Sequence, residues 1–315
     1  MSAGDRTTPR WRTLNVARRI GYRLLPGNTF SYILHFRPRE WPIMVAHTSI
    51  GFVVAIGVRS FVQGSHLDAY LVALLSWVGC LNAGTLALNS AFDHDEGDIG
   101  YLDAPPPPPR HLALVSLALM AIGQLIALTL TRGFAIAYAI CFAMSVAYSV
   151  PPVRLKAVAG ADWLINILGV GVLTPFAGWT ASGFAVRPEG IWIMIGFGCL
   201  FGSLYPLTQI YQFEEDRARG DRTLARILGI GASLLASAIA AALAFVAFWY
   251  ALFLAGPTDM SRTVLTAAAV AWAIVLAPWL LRHRRMTSGQ HQRGMYRALA
   301  AWAFTDVAVI VAFAL

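Results

Sequence analysis

Charge is scarce in this chain. Only 13% of its 315 residues are Asp, Glu, Lys or Arg, whereas a soluble domain carries about 25%. With 57% of residues hydrophobic, the deficit excludes an ordinary soluble domain. It predicts a multi-pass membrane protein, whose length is better counted in helices than in domains. Lysine is nearly missing, since Lys156 stands alone among the basic residues beside the arginines. Cysteine is rare: Cys80, Cys141 and Cys199 lie singly inside apolar runs. Without ligand-like spacing they exclude a zinc framework or a disulfide scaffold and read as small buried apolar residues. Period-two alternation is missing too, which excludes a membrane β-barrel. No apolar run lies near the start, so a typical secretory signal peptide is not expected. The net charge of +8 flanks the apolar runs and forms no aromatic-interleaved module. It therefore speaks for orientation in a bilayer and against nucleic acid.

What the chain does contain is a series of nine apolar segments. They fall near 42–62, 69–92, 111–131, 133–150, 162–182, 190–212, 230–254, 263–281 and 297–315. Each is close to the roughly 20 residues that cross a hydrocarbon core. Inside lipid the backbone must satisfy its own hydrogen bonds, so these segments are helices. The expected fold is an all-α membrane bundle of nine transmembrane helices around a central cavity. Residues 1–40 form a basic cytoplasmic N-terminal segment, and 41–315 form the nine-helix domain. With the N-terminus inside, 20 of the 24 Lys and Arg residues fall on the cytoplasmic side. That asymmetry supports the orientation. The arginines of residues 1–40 alternate with Trp11, Leu14, Val16, Ile20, Tyr22 and Leu24. Such a segment is either a basic amphipathic piece on an anionic membrane surface or purely a topological signal.

Two acidic stretches share one plan. Asn89-Ser-Ala-Phe-Asp93-His-Asp-Glu-Gly97-Asp98 and Gln212-Phe-Glu-Glu-Asp216-Arg-Ala-Arg-Gly220-Asp221 both read amide, Asp at +4, Gly at +8 and Asp at +9. In a helix the first two share a face one turn apart. The Gly then allows the helix to unwind and re-aim the next Asp. Either these acids cap and solvate helix ends, or the two clusters face each other and hold hard cations through oxygen. Nine of the sixteen carboxylates lie in the two loops, 93–110 and 213–229. Both loops emerge on the cytoplasmic face, because four helices separate them. Five prolines, Pro105 to Pro109, follow the first stretch. They form a stiff strut that bridges two helices or folds over the cytoplasmic mouth.

A third stretch, Tyr148-Ser-Val-Pro-Pro-Val-Arg154-Leu-Lys156, shares that face. Cations beside acidic metal-binding loops make sense if an anion sits between them. Arg154 and Lys156 can hold the outer oxygens of a diphosphate while metal ions bridge it to Asp93 and Asp216. Ordinary positive-inside placement is the alternative.

These pieces resemble the UbiA-type family of membrane prenyltransferases. The likeness rests on Asn89-x-x-x-Asp93, on Tyr148-Ser-x-Pro-Pro-x-Arg-Leu-Lys156, and on Glu215-Asp216-Arg217-x-x-Gly220-x-x-Thr223-Leu224. It spans about residues 40–315, in the right order. The sequence departs from the family pattern at Ser90, Gly97 and Gln212, where carboxylates are usual, and its basic stretch after the first motif is reduced to Arg110. The loss at Gln212 puts one metal site in question, though Gln212 retains an amide oxygen beside Glu214 and Glu215.

The resemblance implies Mg²⁺-dependent transfer of a prenyl chain from a prenyl diphosphate to an aromatic or other lipophilic acceptor within the membrane. It implies Asp93 and Asp216 as catalytic residues, and Asp93, Glu96, Asp98, Asp216 and Asp221 as metal ligands. Asn89, Tyr148, Arg154, Lys156, Gln212 and Arg217 become the substrate-binding residues. An allylic diphosphate leaves as an anion that needs cations, and the allylic cation left behind needs a dry pocket. Candidate lining residues are Phe92, Tyr148, Phe176, Trp179, Tyr205 and Tyr211, each of which also suits simple packing. Of the polar residues within spans, His47, Asn82, Gln124, Asn166 and Asp306, the last pairs with another helix or orients an acceptor. Asp162 and Asn166 are the better acceptor-site candidates. The competing reading is a polytopic transporter or channel with acidic cytoplasmic loops. Transporters more often place paired charges at mid-bilayer. A CDP-alcohol phosphotransferase is a third and weaker reading, because Asp93-x-x-Glu96-Gly97 lacks the Ala-Arg that should follow.

Overall fold

A computed structural model of the chain describes residues 16–25, 27–93, 102, 105–158, 160–210, 213 and 223–315. The long helices follow the apolar segments. Two short helices, α1 (Val16–Leu24) and α2 (Thr29–His35), precede α3 (Trp41–Ile56) and α4 (Leu67–Phe92). Then come α5 (Leu112–Ala127), α6 (Arg132–Ser149), α7 (Ala161–Ala181) and α8 (Pro188–Ile210). The short α9 (Leu224–Leu228) leads into α10 (Ile230–Ala255), α11 (Asp259–Arg282) and α12 (Ser288–Ala314). Among the described residues, seven helices are long and apolar enough to cross a membrane. The protein is an all-α, multi-pass membrane bundle.

Two expected segments come out shorter. α3 and α5 have 16 residues each, or about 24 Å at 1.5 Å per residue. The expected span 42–62 is not continuous: Gly57, at φ +82°, stops α3, and a separate short helix runs from Val58 to Val62. Other helices begin earlier than hydropathy suggests. α12 starts at Ser288, not near 297, because Thr287 and Gln290 form a capping box that satisfies the first backbone donors. Thr258 and Ser261 do the same for α11.

Packing places the apolar side chains in two clusters. One gathers Phe197, Leu200, Phe248, Trp272 and Trp302; the other gathers Trp77, Met120, Phe134 and Tyr138. α3 and α7 form the seam, since Ile50 and Trp179 join the first cluster while Phe52 and Ala177 join the second. Their backbones touch there. A Cβ at Gly51 would fall on the carbonyl oxygen of Pro175, and one at Gly178 on that of Thr48. Small residues at such crossings let helices approach closely where lipid leaves no hydrophobic drive between them. On the outer faces, Val246, Phe253 and Ile274 are 66%, 72% and 67% exposed, as lipid-facing side chains should be.

Both α4 and α7 widen into π-helical turns, at Leu75–Asn82 and Ile167–Leu173. Such turns free backbone carbonyls and often mark functional sites. Here Trp77 Nε1 donates to Thr174 Oγ1 at 3.3 Å, and Thr174 Oγ1 donates to the carbonyl of Gly169 at 2.9 Å. One hydrogen-bonded line thus joins the two widened turns.

Candidate active site

The first acidic stretch begins on α4 and leaves it at once. α4 ends at Phe92, and the Asp93 N–H bonds to the Asn89 carbonyl at 3.0 Å. Asn89 and Asp93 are therefore one turn apart, as the spacing requires. Unwinding begins at Asp93 itself, four residues ahead of Gly97. Ser90, next to Asn89, accepts a hydrogen bond at 3.2 Å from Arg37 Nη2, and Arg37 also pairs with Glu40 at 3.7 Å. Arg37 is buried, with φ +50°. It reads in the sequence as one more topological arginine, yet it pins the chain before α3 to the motif helix. No periodicity signals that role.

The basic stretch comes to the same place. α6 ends at Ser149, and Arg154 adopts a left-handed φ of +35° before the turn Leu155–Ala157. A non-glycine residue in that region stores strain of the kind found at functional sites. The turn aims both cations at the first motif. Lys156 Nζ contacts the Asp93 carboxylate and donates to Asn89 Oδ1 at 3.4 Å, while Arg154 Nη2 lies 3.5 Å from Asp93 Oδ1. The Asp93 and Lys156 side chains are 10% and 15% exposed, so their charges interact in a medium drier than water. Four of the expected site residues, Asn89, Asp93, Arg154 and Lys156, thus meet. Glu96, Asp98, Gln212, Asp216, Arg217 and Asp221 lie outside the described residues.

The flanks of the second motif are described, and they converge. Gln209, near the end of α8, accepts a hydrogen bond from the Ala225 N–H of α9 at 3.1 Å. The chain therefore leaves and returns at one spot. Gln209 Nε2 donates at 3.3 Å to Asp162 Oδ2, which also accepts from Tyr205 Oη at 3.3 Å. Tyr205 Oη in turn lies 3.4 Å from Tyr148 Oη. A buried network of α6, α7 and α8 so links the residues flanking the second motif to the end of α6 from which Arg154 and Lys156 follow.

Beneath the first motif lies an apolar cavity of about 110 Å³. Asn82 and Thr85 line it, on the face of α4 that carries Asn89 seven and four residues later. α6 supplies Cys141, Ser145 and Tyr148 at the same periodicity, and α7 supplies Asn166, Gly169 and Val170. Thr85 and Ser145 bond to each other at 2.7 Å. Of the aromatics expected to line a cavity, only Tyr148 does so among the described residues. Phe92, Phe176 and Trp179 pack in the apolar clusters, Tyr205 stands behind Tyr148, and Tyr211 lies outside the described residues. Trp77 takes the wall position that sequence reasoning missed. Its place depends on the π-helical register, which hydropathy does not report.

α2 anchors the proline strut. The His35 Nε2–H donates to the Pro106 carbonyl at 3.1 Å, and burial holds His35 down to about 4. The strut therefore lies against α2.

Comparison with known proteins gives a consistent result. The model of the UbiA prenyltransferase family matches residues 41–302. No curated protein sequence matches the chain. Among solved structures, a UbiA homolog from Archaeoglobus fulgidus bound to Cd²⁺ aligns with a TM-score of 0.65 at 18% identity, over 89% of this chain and 99% of that one. The Archaeoglobus fulgidus homolog bound to GPP and Mg²⁺ gives 0.64 at 19%, over 89% and 99%. A digeranylgeranylglyceryl phosphate synthase gives 0.69 at 15%, over 90% and 98%. Those likenesses establish a shared fold.

Proposed function

This chain belongs to the UbiA prenyltransferase family, and from that premise we propose that it moves a prenyl chain from a prenyl diphosphate to a lipophilic acceptor inside the bilayer. The observation that carries the reading is the meeting of Asn89, Asp93, Arg154 and Lys156 above the apolar cavity. A charged, oxygen-rich rim over a dry pocket suits a substrate with a diphosphate head and a hydrocarbon tail. Related folds occur with Mg²⁺ and prenyl diphosphates bound.

Asn89 Oδ1 and the Asp93 carboxylate are hard oxygen donors, which is what Mg²⁺ takes. Asp216 is assigned the matching role, with Glu96, Asp98 and Asp221 as further ligands and Gln212 assisting through its amide oxygen. When bound, Mg²⁺ neutralises the diphosphate and favours its departure. The chain's own cations act on the same charge. Arg154 and Lys156, with Arg217, hold the outer phosphate oxygens and stabilise the leaving anion. Lys156 exchanges its contact with Asp93 for the substrate. Tyr148, Trp77 and the aliphatic walls keep water from the allylic cation, whose charge the aromatic faces stabilise.

Nine crossings, an N-terminus and active rim on the cytoplasmic side, and a basic 1–40 segment ahead of a 41–315 catalytic domain complete the proposal. The distribution of arginine supports that orientation. α1 presents Val16, Ile20 and Leu24 along one face, all exposed, beside Arg19 and Arg23. That pattern suits a helix lying on the inner membrane surface. The test is incubation of purified protein with radiolabelled prenyl diphosphates of several lengths and a panel of acceptors. Mg²⁺-dependent prenylated product supports the reading, and cation flux into proteoliposomes without turnover contradicts it.

A further inference from the structure

Capture of the prenyl cation by a hydroxyl releases a proton, and among the described rim residues the Asp93 carboxylate is held by Lys156 and Arg154. A second carboxylate stands behind the cavity wall. Asp162, at the start of α7, is 2% exposed and only accepts hydrogen bonds: from the Gly160 N–H at 2.9 Å, from Gln209 Nε2 at 3.3 Å and from Tyr205 Oη at 3.3 Å. A hydroxyl has one proton to donate. Because Tyr205 gives its proton to Asp162, it can only accept from Tyr148, whose oxygen is 3.4 Å away. Tyr148 then points its own proton at Tyr205 and turns its lone pairs to the cavity it lines, where the Asn166 side chain also hydrogen-bonds to it. The line is directional. It runs from the cavity, through two phenols, to a buried carboxylate behind the wall.

We propose that Tyr148, Tyr205 and Asp162 form a proton relay serving a hydroxyl-bearing acceptor bound against Tyr148 in the cavity. This rests on the prenyl-transfer reading and adds the acceptor's chemical class. As the allylic carbon–oxygen bond breaks, its electron pair leaves with the diphosphate. The acceptor oxygen forms the new bond to the allylic carbon and gives up its proton to Tyr148 Oη. The Tyr148 proton passes to Tyr205 Oη, and that of Tyr205 to the Asp162 carboxylate. Each phenol ends neutral, and the net products are the prenyl ether, diphosphate and protonated Asp162. Tyr148 is the catalytic residue here; Tyr205 and Asp162 act through it. Of the neighbouring charged groups, Lys156 and Arg154 lie against Asp93, and Arg37 against Ser90 and Glu40. Asn82, Thr85, Ser145 and Asn166 give the cavity the hydrogen-bonding wall that a polar acceptor head needs.

The experiment uses full-length protein in nanodiscs, Mg²⁺ and labelled geranylgeranyl diphosphate. 4-Hydroxybenzoate is the phenolic acceptor and glycerol 1-phosphate the alcoholic one, so the two arms separate the sources of the hydroxyl. Tyr205→Phe cuts the line while leaving Asp162 its bonds to Gly160 and Gln209. Asp162→Asn removes the terminal base. In both variants kcat for transfer should fall at least tenfold further than acceptor-free diphosphate release, with KM for the diphosphate within twofold. The surplus prenyl cation should appear as prenyl alcohol. Wild-type rates in both variants would overturn the relay, as would parallel loss of transfer and diphosphate release. Wild-type diphosphate release without transfer to either hydroxyl acceptor would overturn the acceptor class. No Mg²⁺-dependent release at all strikes the underlying prenyl-transfer reading instead.

Discussion

Lys156 Nζ sits between the Asp93 carboxylate and the Asn89 amide oxygen, one turn apart at the end of α4. In the proposed reaction a diphosphate–metal complex takes the place of the ammonium, which here keeps the carboxylate from standing alone in a half-dry rim. A charged hydrogen bond of this kind contributes about 1.5–3 kcal/mol. Lys156→Ala should therefore raise KM for prenyl diphosphate by about ten- to a hundredfold, read by steady-state kinetics. Lys156→Arg should recover only part of the loss, because a planar fork does not replace a point charge.

Arg37 carries a different load. Removing its guanidinium leaves Ser90 and Glu40 without that partner at a buried position. Arg37→Ala should cost about 1–3 kcal/mol of stability, seen as a lower thermal midpoint in detergent. Activity should fall as well, because the end of α4 is no longer held.

His35 makes stability depend on pH. Burial holds its pKa near 4, below its ordinary value of 6.5, so the unfolded chain binds a proton that the folded chain refuses. The contribution of the neutral ring is complete above pH 6.5 and is lost as pH falls toward 4. The thermal midpoint of the wild type should drop more steeply across that window than that of His35→Phe. Equal slopes would place the pH sensitivity elsewhere.

The α3–α7 seam admits no side chain. Gly51→Val or Gly178→Val would drive a side chain into the facing backbone carbonyl. Overpacking of this kind costs about 1–3 kcal/mol, and the rigid backbone on the far side puts these sites at the upper end. Size-exclusion chromatography in detergent should show loss of the monodisperse peak.

The helix plan was legible because lipid imposes it. A backbone in hydrocarbon must be helical, so uncharged runs locate the rods, and only capping and glycine move their ends, as Thr287 and Gly57 do. The meeting of Asn89 and Asp93 with Arg154 and Lys156 was legible for a related reason, since short motifs at helix ends share one membrane face. Side-chain partnerships across helices were not. Nothing in the sequence says that Arg37 reaches Ser90 or that Tyr205 bridges Asp162 to Tyr148. Those depend on rotation about each helix axis, which the π-helical turns at Leu75–Asn82 and Ile167–Leu173 reset. The same reset puts Trp77 on the cavity wall while Trp179 is packed away.

In the proposed reaction the acidic rim holds Mg²⁺ so that diphosphate can leave. Diphosphate release from geranylgeranyl diphosphate by purified protein, with Mg²⁺ and with EDTA, in wild type, Asp93→Ala and Asp216→Ala, measures this step alone. Release is expected in wild type with Mg²⁺, none with EDTA, and at least a hundredfold loss in each variant whose membrane insertion is intact. Release that persists in EDTA, or wild-type rates in both variants, would contradict it.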